Sequence, residues 1–505
     1  MKAKNLFQAV LISCLLMFVS YNAFANNITV SNVRLIGQNT SEQTIMVKFN
    51  ITWENSWRTS TGPSNWDAAW VFVKFRTGSD PWQHAVLTNT GHISPYGSTI
   101  STGLLNPAST YAMPGNPGMG AFIYRSANGT GTFSATDVQL SWKYGADGNG
   151  VPDNANVQVQ VYAIEMVNVP QGAFTVGTGG TESGSFTNGS WTVGNPTIPL
   201  SIATENTLLV GASNGKLWYD NPVALPYSGD QGGPIPAAFP KGYNAFYSMK
   251  YEISQQGYVD FLNSITTTQA YSRYDINNIG YRYNITKSPA NVHSTSTPNI
   301  ACNFLSWADL AAYLDWSALR PMTELEFEKA CRGTQTAVPN EFAWGNTELS
   351  AGPYTLQFPG AYNEIIATGY NQAKGNAAYN GNIGTIGGPL RVGIFSYFWS
   401  LNRVSSGATY YSIMDMSGNL YERTVTVGNT TGRNFTGTHG NGLLDGFGYA
   451  NIDSWPGSDA VGAGMRGGDF YNGIANLGVS YRGYAAYVSN GYSLNYGGRG
   501  VRTSP

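Results

Sequence analysis

The chain has 505 residues, 42% of them hydrophobic and only 11% charged, with a formal net charge of −2. This balance excludes a disordered polyelectrolyte and gives no electrostatic basis for binding nucleic acid. Two or three domains fit the length, and 61 Gly, 32 Tyr and 13 Trp indicate a loop-rich globular protein with aromatic surfaces.

The N-terminus has the pattern of a secretory signal over residues 1–25. Lys2 and Lys4 precede a largely apolar run from Leu6 to Val19, and Ala23-Phe24-Ala25 is a small-x-small cleavage site. The mature chain then begins at Asn26, and the protein is expected in the periplasm, at the cell surface or outside the cell. Leu11-Ile12-Ser13-Cys14 also resembles a lipobox. The apolar Leu-Leu-Met-Phe-Val that follows Cys14 favours cleavage after Ala25. No later segment has the apolar length of a membrane span. Cys302 and Cys331 then remain, as a disulfide or as two buried thiols.

Residues 26–163 predict an all-β sandwich. Ile28, Val30, Val33 and Leu35 alternate with polar residues, and Ile45, Val47, Phe49, Ile51 and Trp53 continue the pattern. Ala69–Phe75, Gly120–Tyr124, Val138–Trp142 and Val157–Ile164 are further strands between turn-rich clusters. Trp53, Trp57, Trp66, Trp70, Trp82 and Trp142 fit core packing better than a sugar platform. The last strand leads without a flexible linker into a second domain, residues 164–505, in which 178–240 is a loop-rich insertion.

Three helices stand out in that domain. One covers Ser254–Asn263. Another is capped by Ser306, with Asp309 at the capping-box position, and runs Trp307–Trp316. The third starts at the N-cap Thr323, with Glu326 three residues on, and stops before Gly333. Glu324, Glu326 and Glu328 are expected as capping and solvent-facing charges. From Gly345 onward, regular structure is expected to be sparse. The four histidines are scattered and are expected on surfaces or in loops.

Several motifs follow one another in a fixed order: Ile164–Gly177, Phe246–Leu262, Leu305–Tyr313, Arg320–Gly333, Ala343-Trp-Gly-Asn346, Met414–Glu422, Arg466-Gly-Gly468 and Gly500-Val-Arg502. This series resembles the formylglycine-generating enzyme (sulfatase-modifying factor) family. The resemblance implies an α+β domain with little regular structure, related to C-type lectins. It also implies copper held by two thiolates after the Arg-Gly-Gly motif. Those positions fall on Asn472 and near Leu477, so neither copper nor formylglycine chemistry is expected, and the scattered histidines give no iron site. The resemblance further implies a structural Ca²⁺ held by the Asp415 and Glu422 side chains and the Gly418 and Leu420 carbonyls.

The tail from Arg466 is rich in Tyr and Asn, a composition suited to adaptable contact surfaces. Tyr471, Asn472, Tyr481, Arg482, Tyr484 and Tyr487 are the candidate ligand-binding residues. The leading expectation is an exported, non-catalytic bacterial surface protein, a pseudoenzyme that binds a protein, peptide or glycan or builds a surface assembly. The alternative is an oxidoreductase of the same superfamily with a non-standard metal site.

Overall fold

The structure is a computed structural model that describes residues 27–106, 116–190, 198–219, 228–275, 277–396 and 402–505. The expected signal segment, with Cys14, lies outside these residues. The protein is a sheet-rich α+β fold with few helices.

The first eight strands are β1 (Thr29–Asn39), β2 (Thr44–Arg58), β3 (Asp67–Thr77), β4 (Gln83–His84), β5 (Ser98–Leu104), β6 (Gly118–Arg125), β7 (Gly129–Lys143) and β8 (Val157–Val169). They form one three-stranded sheet, β1-β2-β7, and part of a second sheet in which β5, β6, β3 and β8 are neighbours. Val47, Phe49 and Ile51 of β2 share a core with Val71, Val73 and Phe75 of β3 and with Val138 and Leu140 of β7. The alternate residues of β3 (Ala68, Trp70 and Phe72) enter a different core. Burial on both faces explains why β3 is a nearly continuous apolar run instead of an alternating one. Of the six tryptophans considered above, Trp53, Trp70 and Trp142 are fully buried.

That second core belongs to the rest of the chain. Short strands β9 (Phe174–Val176), β10 (Phe186–Asn188), β11 (Leu200–Ile202) and β12 (Leu217–Tyr219) precede β13 (Phe246–Met249). Helix α1 (Gln255–Asn263) is capped by Ser254, and α2 (Thr267–Arg273) by Thr266. Strands β14 (Ile285–Lys287) and β15 (His293–Thr295) pair with each other. Helix α3 (Trp307–Trp316) has the expected box between Ser306 and Asp309. After β16 (Arg320–Pro321) comes α4 (Glu324–Arg332), boxed by Thr323 and Glu326 and ended by Gly333. Further on are β17 (Thr355–Gln357), β18 (Ile365–Thr368), β19 (Tyr421–Val425), β20 (Ala463–Arg466), β21 (Tyr496–Gly497) and β22 (Gly500–Thr503).

The larger sheet runs β16-β22-β13-β8-β3-β6-β5, with β4 paired to β3. Strand β8 is therefore shared. It pairs with β3 along Val157–Val167 and with β13 along Met166–Val169. The C-terminal strand β22 lies on the other side of β13. Phe186, Leu200, Leu217 and Tyr219 of the insertion sit in the same core as α1 and α3.

Two expectations need correction. Glu324, Glu326 and Glu328 are buried, not solvent-facing, because each meets an arginine drawn from another part of the chain or from α4 itself. His84, His293 and His439 are buried as well. The cysteines are free thiols in separate cores, Cys302 among α1 and α3 side chains and Cys331 beside Phe327 and Met322.

Candidate functional site

The Arg-Gly-Gly motif leaves β20 as a sharp bend. Gly467 and Gly468 both have left-handed backbone, φ 86° and 71°, which favours glycine. A Cβ on Gly468 would lie 2.8 Å from Leu477 Cδ1 and 2.9 Å from the Asn476 carbonyl oxygen. Arg466 anchors the motif from within. Its guanidinium reaches Glu324 Oε2 at 3.0 Å and Glu328 Oε1 at 2.8 Å, and donates to the Val479 carbonyl at 2.7 Å.

After the bend, Asp469 organises the next turn. Its Oδ1 accepts from the backbone N–H groups of Tyr471 (2.7 Å) and Asn472 (3.0 Å), and Oδ2 accepts from Asn472 Nδ2 (2.7 Å). Burial raises the Asp469 pKa, while hydrogen bonds from Asn472, Tyr471 and Asn495 pull the other way. The turn opens onto a cavity of about 410 Å³ lined by ten residues. Five are tyrosines (Tyr421, Tyr471, Tyr484, Tyr487 and Tyr496), joined by Asn472 and Asn495. The Tyr421 and Tyr484 rings are 5.9 Å apart at 65°, and Tyr484 and Tyr487 are 5.8 Å apart at 76°. Tyr471 is 54% exposed at the rim.

The cavity thus gathers four of the six candidate ligand-binding residues: Tyr471, Asn472, Tyr484 and Tyr487. Tyr481 is nearly buried and touches it only through the Tyr484 ring, 6.4 Å away. Arg482 does not reach it, which corrects that expectation. Its guanidinium is buried between Phe186 and Tyr219 of the insertion and bonds Glu324 through Nε at 2.6 Å. The candidate set lacked Tyr421, Asn495 and Tyr496, which arrive from β19, from just before β21 and from β21 itself. Of the two positions at which the resemblance expects thiols, Asn472 lines the cavity and Leu477 is buried with Phe342 and Trp344.

On the other flank of β19 lies a set of buried carboxylates. Asp415, Gly418 and Asn419 all have positive φ, so the Met414–Glu422 segment is tightly coiled. Asp415 Oδ2 accepts from Gly393 N at 2.6 Å, and Arg499 Nε donates to Glu422 Oε1 at 2.6 Å. Glu422 Oε2 is buried without a partner. Glu252, absent from the sequence-based set, accepts from Leu420 N at 2.9 Å and from the Asn419 amide. Burial drives the Glu252 pKa well up, and the charges of Asp415 and Glu422 add to it. Burial also raises Asp415 and Glu422. All three carboxyls are thus pushed toward their neutral forms. Among the described residues, no three His, Cys, Asp or Glu side chains are grouped to hold a metal. The expected set uses only two carboxylates, with two carbonyls. The sequence signal for Glu252 was slight: it is one of two charged residues, with Lys250, among the four that separate β13 from the cap of α1.

Among the described residues, no helix is long and apolar enough to cross a membrane. A comparison with curated proteins finds no match. Among solved structures, Treponema denticola variable protein 1 aligns with 11% identity over 68% of this chain and 96% of that one. Its TM-score of 0.29 is too low to bear on fold or function. A family model described as the sulfatase-modifying factor enzyme 1-like domain matches residues 150–487, more than half of the chain, from the turn before β8 to the middle of the tyrosine-rich tail. The chain belongs to the family of sulfatase-modifying factor enzyme 1-like domains.

Proposed function

We propose that this family member is an exported, non-catalytic binding protein. Its N-terminal strands act as a β-sandwich fused to a C-type-lectin-like domain, and its ligand site is the tyrosine-lined cavity. One observation carries the reading. Asn472, at a position where the resemblance expects a copper thiolate, lines a cavity walled by five tyrosines. An amide there cannot replace a soft thiolate as a copper ligand, whereas tyrosine and asparagine are well suited to contact. The two thiols of residues 27–505 do not line the cavity, and burial raises the pKa of both. A buried thiol of raised pKa is a poor nucleophile and a poor metal ligand.

Asp415, Glu422 and the Gly418 and Leu420 carbonyls would hold Ca²⁺ as a brace, with Glu252 behind them. The ion would offset buried negative charge and fix the loop that leads into β19 and the cavity.

Metal analysis together with an oxidation assay on a cysteine-containing peptide tests this reading. Calcium without stoichiometric copper or iron, and no oxygen-dependent loss of the peptide thiol, are the expected results. Stoichiometric copper or iron with turnover would overturn it in favour of the oxidoreductase alternative.

A further inference from the structure

The chemistry of the cavity wall narrows the class of ligand. None of the ten lining residues is an Asp, Glu, Lys, Arg or His. The charges nearest the wall are buried behind it. Asp469 is saturated by the turn it holds. The Arg423 guanidinium lies 4.9 Å from the Tyr496 ring centroid and is not part of the wall. A charged ligand would lose its hydration here without meeting an exposed counter-charge, which is unfavourable.

The strand flooring the cavity also disfavours an extended peptide. Strand β19 is paired with β20 on one side and with β21 on the other. The outer strands are poor edges for an added strand, the usual source of affinity for an extended main chain: Met465 N of β20 already donates to the Tyr484 carbonyl at 3.0 Å, and β21 has only two residues. The volume, about 410 Å³, is in the range of small-ligand pockets, not of protein docking faces.

What the wall does offer is aromatic faces at steep angles to one another, alternating with amides fixed in place. Asn472 is pinned through Nδ2 to Asp469, and Asn495 Oδ1 accepts from Ser493 Oγ at 2.6 Å. Amides held this way lose little side-chain freedom when a ligand binds. Rings supply contact with C–H faces, and amides supply directional hydrogen bonds to hydroxyls. We propose that the cavity is a binding site for a neutral saccharide, with a sugar ring against the tyrosines and its hydroxyls on Asn472 and Asn495. This rests on the reading of the cavity as a ligand site.

The test is an array of neutral mono- and oligosaccharides terminating in glucose, galactose, mannose or N-acetylglucosamine, with an acidic and a basic peptide set beside it. Hits are followed by calorimetric titration of the wild type, Asn472→Ala, Tyr471→Ala and the control Tyr96→Ala. Tyr96 is fully exposed and outside the cavity. A neutral saccharide bound by the wild type and at least about tenfold more weakly by both cavity variants, with Tyr96→Ala unchanged, is the expected result. Thermal unfolding of each variant at the wild-type midpoint shows that the fold is kept. Peptide binding that the cavity variants weaken, with no saccharide bound, would overturn the saccharide assignment and keep the site. Binding indifferent to both cavity variants, or none at all, would overturn both.

Discussion

Arg466 is fully buried, and so are the two glutamates it bonds. A buried ion pair contributes little compared with apolar packing, but removing one partner leaves an uncompensated charge inside the protein. Arg466→Met is therefore expected to cost about 3–5 kcal/mol in urea unfolding, because Glu328 and Glu324 lose a counter-charge. Burial pushes Glu324 up, yet Arg482 and Arg466 outweigh it and leave its pKa below the ordinary value. Its contribution is present at neutral pH and is lost as the pH falls through the depressed folded value. Lys74 is shifted in the same direction, but for a base the shift favours the neutral form. Its Nζ donates to the Gly442 carbonyl at 2.9 Å, and burial lowers its pKa to about 7 despite Asp315. Above that value the native state has released a proton that the unfolded chain keeps until about pH 10.4. Stability is thus expected to rise with pH across this window, and Lys74→Met should flatten the rise in a series of denaturant midpoints. The glutamates of α4 were misread from sequence for a simple reason. The arginines that bury Glu324 lie 142 and 158 residues further along the chain, and no local pattern reveals such partners.

At the scale of elements, the capped helices were the most legible part of the fold. Ser254, Ser306 and Thr323 each accept a backbone N–H of the first turn, and that chemistry is written in consecutive residues. Helix α2 has an equally good box between Thr266 and Gln269 but only seven residues, too few for a clear apolar stripe. Strand β5 and the first half of β7 also escaped notice. Gly129-Thr-Gly-Thr and Ser98-Thr-Ile-Ser-Thr carry small polar side chains, and their pairing with β6 and β2 was set by neighbours, not by alternation. Of the cavity, only the contribution of the C-terminal tail was legible, because Tyr421 is brought in by β19. The bend at Gly467 and Gly468 positions that tail. Gly468→Ala would have to displace the backbone at Asn476, and the expected outcome is a lower thermal midpoint and weakened ligand binding together.

For the molecule as a whole, the shared strand is decisive. Val157–Val169 pairs with β3 and β13 at once. Nearby, Lys250 Nζ meets Glu165 Oε2 at 3.0 Å and Asp67 Oδ2 at 3.5 Å, tying β3 and β8 to the segment after β13. A sheet running without interruption from β5 to β16 leaves no linker along which two units can separate. Scanning calorimetry is expected to show one cooperative transition, and limited proteolysis no cut between residues 157 and 169. Met166→Pro, which removes a backbone donor where β8 meets both partners, is expected to lower stability throughout. The same frame carries part of the cavity wall: Tyr421, Met465 and Tyr496 come from β19, β20 and β21. The central claim is that recognition in this tail stands in the place of thiol chemistry. Hydrogen exchange of the protein with and without its array-selected ligand tests it most directly. Slowed exchange confined to residues 469–473 and 484–496 is the predicted result; slowed exchange elsewhere, with these segments unchanged, would contradict it.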